Sequence, residues 1–428
     1  MAEITSFSGF RYALDKPHDL GALVCPPYDM VDKNMIEQLY AKDPHNAVRL
    51  IQNRPEDGDS ANKDRHARAA MLLQQWIENG TLSKENAPAI YQYRQRFTID
   101  GETFTRTGFV ARIKLVEFSE GVVFPHEYTL SGPKRDRFEL LEATHCNTGQ
   151  IFGLVPDEGE LYQAIESISA DTVGAFTDAT GVEHQLAAVT DQQTIEKLQR
   201  LMQDRMILIA DGHHRYETSL EYARTSSRPG AEYVMMTLVS MADPGLVIRP
   251  FHRVVKRNDL TAPFTGIAEL KRFFDTTDLG ETDFSIVDQF LSTSNEFEMI
   301  FLDRLSGRLY GLNTNAGGQR YLKENAEGMS DRWNQLMVSK INRLCVGGIM
   351  KQPLDGAVLH DVMDYSNDAS RTYERVLSDE GVLGAFFIKP VDIDTVRDIV
   401  KGGERMPQKS TNFYPKLFSG LVFNKLDA

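Results

Sequence analysis

Cysteine is scarce in this chain, which has only three in 428 residues: Cys25, Cys146 and Cys345. They lie far apart in the sequence and form no Cys-x-x-Cys pair. The sequence therefore argues against a disulfide framework and against a zinc site built from thiolates. Unpaired thiols are typical of proteins that work in a reducing compartment such as the cytosol.

Long apolar runs are also missing. No stretch approaches the ~20 apolar residues that a membrane-spanning helix requires. The first five residues, Met1 to Thr5, lack the basic start and the apolar run of a secretion signal. We therefore expect a cytoplasmic protein that does not associate with membranes.

Positive charge is in deficit, with 61 acidic against 47 basic residues and a net charge of −14. Sequence-independent binding of nucleic acid needs a cationic surface, so nucleic acid is an unfavourable partner. The hydrophobic share of 41% and the charged share of 25% are ordinary for a globular protein. At ~150 residues per domain, the length predicts two or three domains.

The familiar nucleotide-binding and hydrolase signatures are absent as well. The chain contains no G-x-x-x-x-G-K-[ST] loop, no G-x-G-x-x-G fingerprint, no G-x-S-x-G elbow and no H-E-x-x-H helix. The sequence therefore gives no support to the common P-loop, Rossmann, α/β-hydrolase and zincin sites.

What the chain does contain is an alternation of helix and strand patterns, which predicts an α/β or α+β fold. Asp100-Gly101 separates two apolar alternating runs and predicts a β-hairpin over residues 90–115. Leu20–Cys25 is a short apolar run before two prolines, and we expect a buried strand there. Residues 124–148 show weak periodicity but many titratable side chains, which is typical of a surface linker or of an active-site lining.

The most informative segment is Ala210-Asp211-Gly212-His213-His214-Arg215. An apolar strand runs directly into it, and a helical pattern follows from Tyr216. Ligands of α/β proteins bind at such junctions, because a helix N-terminus presents backbone N–H groups and a partial positive charge. Gly212 permits close approach of a ligand to the backbone. His213, His214 and Arg215 can donate to phosphate, and Asp211 can hold magnesium or orient a histidine.

Two simpler interpretations of this segment stay open. Asp211 could act only as the N-cap of the helix, with the histidines and the arginine in solvent. Capping needs Asp211 but does not need two adjacent histidines. A zinc site is the other interpretation, although neighbouring histidines without a third ligand at helical spacing are weak evidence for one.

Two further polar segments are candidates for function. Pro125-His126-Glu127 precedes the basic run Lys134–Arg137, and a carboxylate near basic groups suits an anionic substrate whose hydroxyl must lose a proton. Near the C-terminus, Lys409-Ser410-Thr411 lie in a loop by composition and could bind phosphate or carboxylate. Considered alone, each segment is also consistent with an ordinary solvated loop.

These motifs together carry a resemblance to known families. The whole chain resembles a widespread bacterial family of conserved proteins of unknown function. From Pro125 onward, the motifs also resemble, in the same order, those of the ADP-dependent free-serine kinases of the ParB/sulfiredoxin-like superfamily. The segments that carry the first resemblance are Pro26–Asp29, Asn46–Leu50, Pro125–Glu127, Gly132–Lys134, Ala210–Arg215 and Lys409–Thr411.

The kinase resemblance implies a fold and an activity. It implies a ParB/sulfiredoxin-like nucleotide-binding core over residues 91–257, preceded by a mixed α/β extension (1–90) and followed by an α/β domain (258–428) that contributes a substrate loop. The activity would be phosphate transfer between a nucleotide, ADP or ATP, and a small hydroxyl substrate, above all free serine, or in reverse from O-phosphoserine. The implied site has catalytic and magnesium-binding residues (Glu127, Asp211), nucleotide- and phosphate-binding residues (Gly212, His213, His214, Arg215) and substrate-binding residues (Lys134, Lys409, Ser410, Thr411).

Two other functions agree with the same motifs. A ParB-like nucleotide-binding regulator would act on DNA, and the net charge of −14 argues against that function. A phosphoserine phosphatase would use water as the acceptor and would release inorganic phosphate without any nucleotide.

Overall fold

The computed structural model describes the chain except for residues 15–16, 60–61, 128–130, 294–295 and 427–428. The chain forms two compact units. Unit 1 comprises Met1–Pro125, Thr129–Val247 and Phe413–Ala428, and unit 2 comprises His126–Tyr128 and Ile248–Asn412. Each unit is therefore assembled from segments that are not contiguous in the sequence.

The strands in chain order are β1 (Ile4–Thr5), β2 (Phe10–Tyr12), β3 (Leu82–Lys84), β4 (Ile90–Ile99), β5 (Glu102–Lys114), β6 (Val123–Pro125), β7 (Cys146–Asn147), β8 (Ile151–Val155), β9 (Thr172–Thr177), β10 (Glu183–Val189), β11 (Ile207–Asp211), β12 (Tyr233–Ser240), β13 (Val247–Arg249), β14 (His252–Lys256), β15 (Phe274–Glu281), β16 (Met299–Asp303), β17 (Arg308–Thr314), β18 (Met363–Ser366), β19 (Val382–Phe387), β20 (Asn412–Tyr414) and β21 (Asn424–Lys425).

The α-helices are α1 (Lys33–Lys42), α2 (Val48–Ile51), α3 (Asn62–Glu78), α4 (Ser131–Thr144), α5 (Glu160–Glu166), α6 (Gln192–Met202), α7 (His213–Thr225), α8 (Ile267–Leu270), α9 (Phe284–Ser292), α10 (Ala316–Glu324), α11 (Asp331–Gln335), α12 (Met337–Lys340), α13 (Gly356–Val362), α14 (Ala369–Ser378) and α15 (Ile393–Lys401). Short 3-10 helices cover Pro17–Ala22, Tyr28–Met30, Phe118–Glu120 and Asp259–Thr261, and a π-helix covers Ile341–Ile349.

Unit 1 is built on a mixed sheet. Within the described residues, eight of its strands follow the order β6-β11-β8-β12-β5-β4-β10-β9, and β1 pairs with β5. The pairs β11–β6 and β12–β8 are parallel, and the other pairs are antiparallel. One face is covered by a core that includes Phe109, Ile151, Leu198 and Tyr216. This order sets β11 between β6 and β8, with its C-terminal end leading into α7.

Unit 2 has a separate antiparallel sheet. Six of its described strands follow the order β15-β17-β16-β19-β14-β18, with antiparallel pairing throughout. Helices α9 and α14 contribute Val287, Phe290, Tyr373 and Val376 to the core on this sheet. The fold is therefore mixed α/β, in agreement with the α/β or α+β class that the sequence predicted, and the structure adds that one sheet is large and mixed. The ParB/sulfiredoxin-like character of the core stays a prediction.

The sequence predictions and the structure differ in two places. The domain boundaries expected after residues 90 and 257 stay a prediction, and within unit 1 Ile4 pairs with Ile113 of β5 and joins the N-terminus to the sheet. The strand expected over Leu20–Cys25 is wrong, since a 3-10 helix ends at Ala22 and the Leu23 amide turns back to the Leu20 carbonyl oxygen at 2.9 Å. Part of the weakly periodic stretch 124–148 is the helix α4.

Among the described residues, no helix is long and apolar enough to cross a membrane.

A buried histidine in unit 2 predicts loss of stability in mild acid. Burial lowers the pKa of His252 from 6.5 to about 4, and the Ile388 amide donates to its Nδ1 at 3.4 Å. Above pH 6.5 the ring is neutral in the folded and unfolded chains, so it has no effect on stability. Between pH 6.5 and 4 only the unfolded chain takes up the proton, which lowers the free energy of unfolding by about 2 kcal/mol at pH 5 and about 3 kcal/mol below pH 4.

This acid effect is measured by urea denaturation at pH 7 and pH 5 for the wild type and for His252→Asn. The asparagine oxygen can still accept from Ile388 but does not titrate in this range. We expect a smaller drop in stability for the variant, by about 2 kcal/mol. Equal drops in both proteins would show that His252 is not responsible.

Candidate functional site

The segment that the sequence singled out lies at the junction of β11 and α7. β11 ends at Asp211, and Gly212 adopts the left-handed conformation (φ 90°, ψ 27°) before α7 begins at His213. A side chain at position 212 would be strained, and its Cβ would lie 2.9 Å from Arg215 Nη2. Glycine therefore allows Arg215 to fold back over the turn towards Asp211.

Asp211 holds two cationic side chains. Its Oδ2 accepts from Arg215 Nη2 at 2.8 Å, and its Oδ1 accepts from Lys416 Nζ at 3.2 Å. Burial alone would raise the pKa of Asp211, but Lys416 and Arg215, with His213, hold that pKa well below its usual range. The carboxylate is thus ionised at neutral pH, and the two cations are fixed close to the first turn of α7.

The N-cap of α7 is Gly212, which has no side chain to donate to or accept from the helix. The interpretation of Asp211 as that N-cap is therefore wrong. The first backbone bond of the helix runs from the Tyr216 amide to the Gly212 oxygen at 3.0 Å, so the amides of residues 213–215 precede it. With the helix dipole and the two cations, this turn is suited to binding an anionic group.

Lys416 belongs to a segment that a buried arginine supports. We call residues 414–419 the strap. Arg106 is 1% exposed and donates to the backbone oxygens of Tyr414, at 3.1 Å, and of Pro415. Burial lowers the pKa of Arg106 to about 10, and the carbonyl oxygens offset the loss of water around its charge.

Two glutamines complete the support of the strap. Gln95 donates to the Lys416 oxygen at 2.9 Å and also accepts from Arg106. Gln150 donates to the Phe418 oxygen at 2.8 Å, and its own backbone oxygen accepts from Arg215 Nη1. The same buried polar framework therefore fixes both cations that contact Asp211.

Other predicted residues lie around the first turns of α7. His214 Nδ1 lies 3.4 Å from the Tyr28 hydroxyl, and burial lowers the pKa of His214, which favours the neutral ring. Lys134 forms an ion pair with Glu217, one turn along α7 from His213. The ammonium of Lys134 is therefore directed at a carboxylate of unit 1.

In unit 2, Glu127 is bound by the loop near the C-terminus. Its Oε1 accepts from the amides of Ser410 (3.1 Å) and Thr411 (3.3 Å), and its Oε2 accepts from the amide of Lys409 (3.2 Å). Lys409 has a positive φ of 58°, which helps the three successive N–H groups converge. This cradle of amides stabilises the negative charge of Glu127 and fixes its position.

Two buried side chains hold the cradle in place. His126 is 1% exposed, and its Nε2 lies 2.7 Å from the Thr411 hydroxyl and 3.3 Å from Glu127 Oε1. Arg253 is fully buried and donates to the Lys409 oxygen at 2.8 Å, and burial lowers its pKa to about 10. The Met406 amide also donates to the His126 oxygen at 2.7 Å, so the loop is bonded at both ends.

The predicted residues thus form two groups, each within its own unit. Unit 1 gathers Asp211, Gly212, His213, His214 and Arg215, with Lys134 on Glu217, and unit 2 gathers Glu127 with Lys409, Ser410 and Thr411. The side chains that the sequence interpretation missed are Lys416, Arg106, Gln95, Gln150 and Arg253. Lys416 is 205 positions from Asp211, and the one available signal was its place in a polar C-terminal segment.

Neither carboxylate fits a metal ion held by protein side chains alone. Over the described parts of the chain, no group of three histidine, cysteine, aspartate or glutamate side chains could hold one. Both oxygens of Asp211 accept from cations, and both oxygens of Glu127 accept from amides. The magnesium implied by the resemblance stays a prediction, and no chemical step below depends on it.

Solved structures similar to this chain share little sequence with it. A mutant form of a free serine kinase in complex with ADP is 12% identical with a TM-score of 0.35, over 69% of this chain and 87% of that one. A conserved hypothetical protein from Pyrococcus furiosus is 11% identical (TM-score 0.33, 69% and 90% covered). SbnI with a C-terminal truncation from Staphylococcus aureus is also 11% identical (0.34, 72% and 85%).

The family comparison covers most of the chain. No curated protein matches it in sequence. The family model described as "Protein of unknown function (DUF1015)" matches residues 4–339. This confirms the first resemblance seen in the sequence, and the chain belongs to the DUF1015 family.

Proposed function

We propose that this protein transfers a phosphoryl group between a nucleotide and a small hydroxyl substrate, with free serine and O-phosphoserine as the first pair to test. The observation that carries the proposal is the first turn of α7, where Arg215 and Lys416 are both held on Asp211. A helix N-terminus flanked by two fixed cations is suited to the oxygens of a phosphate group.

The charges in unit 1 favour a polyanion over a single carboxylate. Three cationic side chains lie on Asp211 and Glu217 around the first turns of α7, so an incoming phosphate with several oxygens can contact more than one cation; they are Arg215, Lys416 and Lys134. Arg106 and Gln150 fix the strap and Arg215 before any ligand arrives. Little reorganisation is then needed when charge develops on the transferring group, which is the main source of electrostatic catalysis.

The role we assign to Glu127 is acceptance of the substrate's hydroxyl proton. The hydroxyl oxygen attacks phosphorus, its proton passes to Glu127, and the bond to the nucleotide oxygen breaks with its electron pair on the nucleotide. Ser410 and Thr411 use their hydroxyls within unit 2, on the Pro407 oxygen and on His126. Lys409 is exposed and is the residue of this loop that we assign to substrate binding.

The experiment that tests this function uses the full-length chain with ADP or ATP and L-serine. Formation of O-phosphoserine is followed by phosphorus NMR, and the reverse reaction is started from O-phosphoserine and the dephosphorylated nucleotide. We expect transfer in at least one direction. Release of inorganic phosphate from O-phosphoserine without nucleotide would indicate a phosphatase instead. The absence of both phosphate transfer and nucleotide binding would contradict the proposal.

Lys416 provides a direct test of the phosphate site. We expect Lys416→Met to weaken ADP binding about 10-fold, or about 1.4 kcal/mol, because one of the two cations near the first turn of α7 is lost. Affinity is measured by isothermal titration calorimetry. The control is Lys114→Met, which removes another lysine of unit 1 that pairs with a carboxylate, Glu3, at 2.9 Å. Wild-type affinity in both variants would mean that Lys416 only neutralises Asp211.

A further inference from the structure

Unit 2 contains a cleft that shares Met406 and Ser410 with the loop around Glu127 but is otherwise lined by residues not described above. Its volume is about 480 Å³. Its walls are α11 with the following residues 336–338, the segment 388–392 after β19, and two residues of the C-terminal loop region, Met406 and Ser410. Clefts of 300–1,000 Å³ are the size that holds small organic ligands.

Two wall residues connect the cleft to Glu127. The Ser410 amide donates to Glu127 Oε1 at 3.1 Å, and the Met406 amide donates to the backbone oxygen of His126 at 2.7 Å. Both residues are buried, with exposures of 5% and 0%. One wall of the cleft is therefore the same piece of chain that holds the His126–Glu127 pair, so a ligand in the cleft contacts the support of Glu127.

The lining chemistry is that of a site for an amphiphilic molecule with charges of both signs. Four buried apolar residues form the interior: Leu336, Val338, Ile388 and Met406. The rim has two cationic residues, Arg332 and Lys389, and two anionic residues, Asp331 and Asp392. Arg332 forms an ion pair with Asp398, and Lys389 donates to the Thr293 oxygen, so both cationic side chains of the rim have a partner. An ammonium and a carboxylate on one ligand can each find an opposite charge there.

The volume of the cleft exceeds what free serine can fill. At about 30 Å³ of liquid volume for each water molecule, 480 Å³ corresponds to roughly 16 water molecules. Serine would leave more than half of this space to water. A substrate with an aliphatic extension would bury the apolar interior, which is favourable by about 25 cal/mol for each Å² removed from water.

We infer that the cleft binds the hydroxyl substrate, and that this substrate is a zwitterionic amino-acid derivative larger than serine, with an aliphatic part on Leu336, Val338 and Ile388. The inference rests on the proposed function, because it identifies the acceptor of that reaction. If the inference holds, the cleft determines the size of the substrate that binds. The proposed phosphate site in unit 1 stays as described above.

The test measures binding of a size series to the full-length protein by calorimetry. The probes are L-serine, L-homoserine and the dipeptide seryl-leucine, and ADP is titrated separately. We expect affinity to rise along the series, with seryl-leucine at least 10-fold tighter than serine. Val391, a partly exposed residue of the wall, is changed to tryptophan to fill the cleft and to alanine to widen it.

The two substitutions at position 391 are expected to have different effects on the affinity for seryl-leucine. Val391→Trp should weaken seryl-leucine binding at least 10-fold with ADP affinity unchanged, and Val391→Ala should retain binding. Leu377→Trp, at an exposed position of unit 2 outside the cleft, is the control for the added indole. Equal affinities along the series, or an unaffected Val391→Trp variant, would overturn the inference even if ADP binds. Dipeptide binding that Val391→Trp abolishes, without nucleotide binding or transfer, would overturn the proposed function and the assignment of the ligand as its acceptor, and would leave a cleft that binds an amino-acid derivative.

Discussion

Replacement of Glu127 by glutamine is expected to lower the rate of phosphate transfer by ~10²–10⁴, the usual contribution of a general base. Glutamine has nearly the same shape but cannot accept the hydroxyl proton. Nucleotide affinity should change little, since proton acceptance matters mainly in the transition state. The measurement is single-turnover transfer, with calorimetric ADP binding in parallel.

The amide cradle makes a control necessary for this variant. A glutamine NH₂ group would face one of the N–H groups that now donate to Glu127, so we expect a loss of about 1 kcal/mol in stability. Ser410→Ala is the matched control, because it removes the bond from Ser410 Oγ to the Pro407 oxygen and loosens the loop without changing the carboxylate. Equal rate losses in the two variants would assign the effect to loop order, and full activity in Glu127→Gln would remove the base.

Replacement of Asp211 by asparagine is expected to separate binding from turnover. Under the proposed function, a phosphate that binds at the first turn of α7 has to compete with Asp211 for Arg215 and Lys416. Without the negative charge, both cations remain available, so ADP affinity should stay the same or increase. The rate should fall by about 10²–10³, because the orientation of both cations towards the transferring group is lost.

The readouts are ADP titration, transfer rate and circular dichroism of Asp211→Asn. The spectrum should match the wild type, since asparagine is nearly isosteric and α7 is capped at Gly212 rather than at position 211. A parallel loss of affinity and rate that added magnesium restores would instead make Asp211 a metal ligand. Unchanged rate and affinity would remove Asp211 from the mechanism.

The parts of the fold that local chemistry determines were predictable from the sequence. Asp100 and Gly101 both adopt positive φ, 51° and 83°, and close the hairpin of β4 and β5 as their residue types indicate. The apolar run before Asp211 forms β11, and α7 follows directly. Each of these signals is contained in a few neighbouring residues.

The features that depend on distant partners were not predictable. The Leu20–Cys25 run is as apolar as a strand, yet its backbone turns within three residues, and strand patterns carry no signal for such a turn. Arg106 has an ordinary place in an alternating strand, and its burial becomes understandable only once the strap supplies carbonyl oxygens from residues 414 and 415. Position in sequence likewise gave no hint that Lys409–Thr411 would bind Glu127 through backbone amides.

The strap has a consequence for dissecting the protein into fragments. A fragment that ends at Asn412, just before the last segment of unit 1, lacks the carbonyl oxygens that Arg106 and Gln95 bond, together with Lys416. A buried guanidinium without its acceptors is strongly destabilising, by about 3–5 kcal/mol. Unit 1 therefore cannot be isolated by truncation from either end. A minimal version must join the 413–428 segment back to Val247 through a short linker in place of residues 248–412.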